Sequence, residues 1–167
     1  MPSHVWQHPA HPRQRISIIP EVSAAGEINR AILLAGRLLF GGFFLYSGID
    51  HFMNLASMIP YAANKGVPFP EAAILFTGLM LVVGGISVLL GYRPHIGAAL
   101  IAMFLIVVTP MMHNFWTETG MARMNDLAHF MKNVALLGGA CFIATTPEPW
   151  PASPHMTSVT MPTEPIA

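Results

Sequence analysis

Four stretches of this chain are long and apolar enough to cross a lipid bilayer, and they restrict its fold more than any other feature. They run from about Ala31 to Ile49, Ala72 to Leu90, Ile96 to Met112 and Leu127 to Thr146. Crossing about 30 Å of hydrocarbon takes roughly 20 helical residues, and in lipid only helices or closed barrels satisfy their own backbone groups. Three of the stretches are nearly unbroken. The fourth carries His129, Lys132 and Asn133 in its first two turns, so its polar start is expected at the interface or against the bundle. Composition agrees: 53% of residues are hydrophobic and only 10% charged, with mean hydropathy +0.54, whereas soluble domains carry about 25% charged residues. The sequence therefore predicts an all-α integral membrane four-helix bundle.

The ends of the chain differ from its middle. Residues 1–29 hold Pro2, Pro9, Pro12 and Pro20 and no apolar run, which excludes a signal peptide and predicts a flexible tail. His4, His8 and His11 lie close together there, but the prolines around them favour a tail over a metal tract. From Pro147 to Ala167 the chain is rich in Pro, Thr and Ser and reads as a second disordered tail, leaving 30–146 as the membrane domain. A formal net charge of zero and the lack of a basic, aromatic-interleaved patch argue against nucleic acid as a partner. Cys141 stands alone, which excludes an intrachain disulfide and reads as an inert thiol in an apolar segment.

Element boundaries follow from local chemistry. Pro70-Glu71 suits the first turn of a helix, and Gly91-Tyr92-Arg93-Pro94 suits a short turn between two. Asn125-Asp126 is expected to cap the fourth helix. The 53–70 connection carries Met53, Leu55, Met58, Ile59 and Tyr61 and should lie partly in the interface. Gly41-Gly42, Gly84-Gly85 and Gly138-Gly139 each fall inside a span, where small residues let helix backbones approach.

Within the first span, Arg37, Gly41, Phe44, Gly48 and His51 recur at helical spacing and share one face. Lipid penalises that set, so the stripe should face protein, with Leu38, Leu39, Phe43 and Leu45 on other faces. Arg37 could snorkel to the interface or be buried between helices, with carbonyl oxygens, Thr77 or Ser87 as partners.

Four spans place both termini on one side, and the distribution of Lys and Arg favours the cytoplasm. The same topology brings Asp50, His51, Glu71, His113, Asn114, Asp126, His129, Lys132 and Asn133 to one membrane face. This cluster admits three readings. It could be a headgroup-level belt with Phe115 and Trp116 as aromatic girdle. It could bind a quinone, histidine bonding a carbonyl and a cation steadying developing negative charge. Or it could hold haem or a metal on Asp50, His51, His113 and His129, although no recognised ligand spacing supports that.

In order along the chain stand Arg37-Leu-Leu-Phe-Gly41, Ser47-Gly48-Ile49, Lys65-Gly66-Val67-Pro68, and Gly84-Gly85 followed by Leu89-Leu90-Gly91-Tyr92-Arg93. His113-Asn114-Phe115-Trp116 and Lys132-Asn133-Val134-Ala135-Leu136-Leu137-Gly138-Gly139 complete the series. This succession resembles the DoxX family of small four-helix membrane proteins over about residues 30–146. Leu81 stands where many members carry glutamate, and Asp50-His51 where a lysine is often found. The resemblance implies a bacterial inner-membrane protein. It also implies kinship with subunits of quinone-reducing sulfur oxidoreductases and of membrane-associated redox complexes.

The expected function is thus a membrane subunit of a redox system that interacts with quinone or partners an oxidoreductase. Its candidate binding residues are Arg37, His51, His113, His129, Lys132 and Asn133. The alternatives are a non-catalytic scaffold that anchors a soluble enzyme, and a small-solute permease, which would require a homo-oligomer.

Overall fold

Between Ala24 and Met53 no proline interrupts a mostly apolar run, and in lipid such a run satisfies its backbone groups as a helix despite its glycines. The computed structural model, which describes residues 24–153, makes this stretch one 30-residue helix, α1. At 1.5 Å per residue it is about 45 Å long, more than a bilayer core requires. Asn54 breaks it, donating its side-chain amide to Asp50 Oδ1 at 2.6 Å. A short helix, α2 (Leu55–Asn64), follows. Gly66 at φ 79° turns the chain, and α3 (Pro70–Leu90) begins with proline in its first turn and Glu71 beside it, as the sequence predicts. Gly91 at φ 67° ends α3 in the left-handed conformation that glycine adopts freely. After a turn through Arg93 the chain enters α4 (Pro94–Met112). A single 3₁₀ turn, Phe115–Thr117, leads to α5 (Gly120–Thr145).

The four long helices α1, α3, α4 and α5 correspond to the four predicted spans, and the described residues contain no strand. Two helix starts differ: α1 begins at Ala24, so residues 24–29 of the expected flexible tail are helical. Asn125-Asp126 is not a cap, because α5 starts six residues before Asp126, at Gly120. Asp126 is instead buried and engaged in an ion pair. The His4, His8 and His11 cluster lies outside the described residues.

In lipid, helices gain little by hiding apolar surface from each other and associate through close packing. Here α1 packs on α3, α3 on α4, and α4 on α5. The α1–α3 contact is backbone to backbone. A Cβ built on Gly48 would sit 2.7 Å from Val82 N and 2.8 Å from Gly78 O, and one on Gly85 2.6 Å from Leu45 N. The predicted stripe faces protein: Arg37, Gly41, Phe44 and Gly48 are buried and His51 half-buried, while Leu38, Leu39 and Phe43 are exposed. Leu45 departs from the expectation and is half-buried. The third glycine pair is looser, with Gly138 facing open space and Gly139 against the Phe40 ring.

Phe44, Leu81, Val88, Ile101, Leu105 and Ala140 form the core, joined by Trp150 from beyond α5. Leu81 is fully buried where many family members place glutamate. The expected disordered tail therefore does not start at Pro147. Residues 147–153 fold back over the bundle, because Trp150 finds an apolar seat there (1% exposed) and Glu148 meets His95 Nδ1 at 2.6 Å.

Candidate functional site

The end of α1, α2 from Met58 onward, the start of α3 and the second half of α4 border a half-open cavity of about 310 Å³. Its walls are almost entirely apolar, from residues such as Met58, Ala62, Ile74, Phe104 and Val108. Tyr61, Thr77, His51 and His113 are the polar exceptions. Thr77 Oγ1 donates to Ala73 O at 2.7 Å and is thereby satisfied within its own helix. The two histidines are left as the groups able to interact with an occupant through a ring nitrogen.

His51 sits in the last turn of α1, with Nδ1 2.7 Å from the carbonyl oxygen of Ser47. A carbonyl only accepts, so Nδ1 carries the hydrogen and, in the neutral ring, Nε2 presents a lone pair. His113 ends α4, its backbone N–H bonded to Thr109 O at 3.1 Å. Its Nδ1 is 3.5 Å from Asp126 Oδ1. That is electrostatic proximity rather than a closed hydrogen bond, and Nδ1 is buried without a hydrogen-bond partner. A shift of about half an ångström would close the contact to ordinary hydrogen-bond length.

Behind His113 lies a cluster at the mouth of the bundle. Lys65, at the C-terminal end of α2, points its ammonium at Asp126 Oδ2 (3.0 Å), Asn114 Oδ1 (2.9 Å) and Glu118 Oε1 (3.4 Å). Burial alone would pull the Lys65 ammonium down. Its hydrogen bond to Asp126 and the charge of that carboxylate outweigh burial and hold it above the ordinary lysine value. On its other side His113 stacks on His129, with ring centroids 5.0 Å apart and planes at 15°. Lys132 Nζ is 3.3 Å from His129 Nδ1.

The structure divides the residues expected to act together. His51 and His113 meet across the cavity, and His113 and His129 meet by stacking. His129, Lys132 and Asn133 do not line the cavity, although Asn133 is buried. Arg37 belongs to the opposite end of the bundle, since it precedes His51 by fourteen residues, or about 21 Å of helix. There its Nη2 donates to Leu89 O at 2.8 Å and Nη1 to Pro151 O, with its guanidinium 5.8 Å from the Trp150 ring centre. It is 5% exposed, so burial between elements holds rather than snorkelling, and carbonyls serve it rather than Thr77 or Ser87. The metal alternative is not assembled: among the described residues no three His, Cys, Asp or Glu side chains gather in a way that could hold an ion.

Sequence reasoning placed Asp126 on the right membrane face but did not see Lys65 as its partner. The only signal was that both fall on that face, with Lys65 inside one of the ordered motifs. Tyr61 and Thr77 left no signal of their own.

The DoxX family model matches residues 32–114, which include most of α1, all of α2 to α4 and both cavity histidines. The Lys132–Gly139 motif lies beyond that match. The chain is also similar to the inner membrane protein YphA of Escherichia coli (strain K12), with 26% identity over 121 residues, 72% of this chain and 86% of the relative. No solved structure matches the chain. The four membrane-spanning helices, the family match and this relative together make the chain a multi-pass inner-membrane protein of the DoxX family.

Proposed function

We propose that the cavity binds the ring of a quinone or quinol, and that the chain is the membrane subunit of a redox system whose electrons pass through a partner oxidoreductase. The observation that carries this reading is an apolar cavity at the end of a membrane bundle with two histidines in its wall, one of them backed by a carboxylate. At about 310 Å³ it has room for one substituted ring, at the lower end of ligand pockets, which run from roughly 300 to 1,000 Å³. The isoprenoid tail of such a molecule would remain in the bilayer.

Two-electron oxidation of a quinol to a quinone releases two protons, one from each hydroxyl. Neutral His51 Nε2 accepts a hydrogen bond from one hydroxyl and can take its proton. His113 has the same capacity at Nε2, and Asp126 behind Nδ1 steadies the cationic ring that results. In the reducing direction the cationic rings donate to the two carbonyl oxygens. Asp126 is held in place by Lys65, so its charge stays available to His113.

Titration of the detergent-purified protein with a short-tailed quinone analogue, followed by calorimetry, tests the reading. Saturable binding at one site is expected, with His51→Ala and His113→Ala each weakening it at least tenfold and Lys132→Met leaving it unchanged. Absence of saturable binding, or binding indifferent to both histidines, would overturn the proposal and favour the scaffold reading.

A further inference from the structure

Lys132 is residue 13 of the 26 in α5, at the middle of a membrane-spanning helix, and its side chain is exposed on the surface of the bundle. Its ammonium is not drawn out to the headgroups. Nζ lies over the ring of Phe43 at 5.9 Å from the centroid, and Phe43 is itself 42% exposed. Phe43 lies between Gly41, which packs on Gly85 and Leu89, and Gly48, which packs on Gly78 and Val82, so its level falls within the length of α3, short of the Leu90 end. The ammonium therefore sits at mid-depth, in the groove where α1 and α5 face lipid. A lone cation there is costly and ordinarily has a partner or a pathway. Its contacts in this chain are poor compensation, because neither is a carboxylate: a histidine nitrogen at 3.3 Å and an aromatic face.

A second copy of the chain cannot supply the missing charge. All eight acids stand at span ends or beyond them: Glu21, Glu27, Asp50, Glu71, Glu118, Asp126, Glu148 and Glu164. None is mid-span, and Asp126 is already committed to Lys65. Beside Lys132 the α5 surface is open and small-featured. Ala135 and Gly138 are exposed, and a Cβ on Gly138 would meet nothing within 4 Å. Backbone approach of another helix is sterically free there.

We propose that the α1–α5 groove is the docking surface for a transmembrane helix of a different protein, one that carries a carboxylate at mid-membrane depth to pair with Lys132. The partner is recognised by charge at a fixed depth and by close packing along Ala135 and Gly138. This assignment stands apart from the quinone reading, because Lys132 does not line the cavity.

The full chain, donor-labelled at a terminus and reconstituted in phosphatidylcholine vesicles, is titrated with acceptor-labelled leucine–alanine helices that differ only at the central residue. Energy transfer is expected to show the glutamate helix associating at least tenfold more tightly than the leucine helix. That preference is expected to vanish in Lys132→Met and to survive in Lys132→Arg. Melting of each variant in detergent controls for folding, and Lys132→Met removes a charge from lipid and should fold at least as well as the parent. Equal association of the two helices, or a glutamate preference that persists in Lys132→Met, would overturn the proposal. So would self-association of the chain that depends on Lys132.

Discussion

The ammonium of Lys65 lies 3.0 Å from Asp126 Oδ2 across 61 residues of sequence, joining the end of α2 to the second turn of α5. Both side chains are largely withdrawn from solvent, at 15% and 10% exposure. Breaking such a pair from one side leaves a charge without its partner, which costs more than the intact pair contributes. Lys65→Met and Asp126→Asn should each destabilise the bundle by about 1–3 kcal/mol, reduced from the fully buried case by residual solvent. Thermal melts in detergent measure the loss, and the double variant should lose less than the sum of the two single ones.

The same pair sets an alkaline limit. Lys65 titrates above its ordinary value of 10.5 because the folded state favours its charged form. Its contribution is therefore complete below pH 10.5 and lost as pH rises through the raised folded value. Melting temperature against pH should fall more steeply in the parent than in Lys65→Met above that point, closing the gap between them. Curves that stay parallel would refute the assignment.

At the far end, Arg37 spans Leu89 O and Pro151 O with one guanidinium, a geometry an ammonium cannot reproduce. Arg37→Lys should cost about 1–2 kcal/mol, the value of a charge-assisted bond lost in a buried setting. Trp150→Ala removes the ring beside that cation. At a core position such a change costs about 3–5 kcal/mol, but here the loss is capped by the free energy of detaching residues 147–153. The observable is therefore faster proteolytic cleavage of that segment, with the helical bundle intact.

Helix contact makes a fourth test. A valine at Gly48 would drive its Cβ against backbone atoms of Gly78 and Val82, which cannot turn aside. Gly48→Val should destabilise by about 1–3 kcal/mol or more, whereas Gly138→Val, in open space, should stay within about 0.5 kcal/mol. Unfolding in SDS–detergent mixtures separates them, and equal effects would contradict the α1–α3 packing.

Ala62 is 1% exposed and lines the cavity from α2. Ala62→Phe should fill that space and reduce binding of a quinone analogue at least tenfold without touching either histidine. Circular dichroism confirms that the helices persist.

Sequence and tertiary structure contributed different things. Local physics sufficed for the spans. Apolar runs of bilayer length must be helical in lipid, so α1, α3, α4 and α5 were legible, as were the Pro70 start and the Gly91 stop. The stripe from Arg37 to His51 was legible as well, because a helical face with two glycines and a cation has a poor fit to lipid. The topology of four spans even gathered His51, His113 and Asp126 at one end. Which of those groups touch was not legible. Pairing depends on the rotation and relative depth of helices that are far apart in sequence, and no periodicity encodes either. The tertiary structure alone set Lys65 on Asp126, gave Arg37 the carbonyls of Leu89 and Pro151 and the ring of Trp150 as partners, and turned His51 and His113 toward one cavity. It left Lys132 at mid-depth in an open groove. A residue's helical face follows from its own neighbours in sequence, whereas its partner is chosen by how whole helices pack.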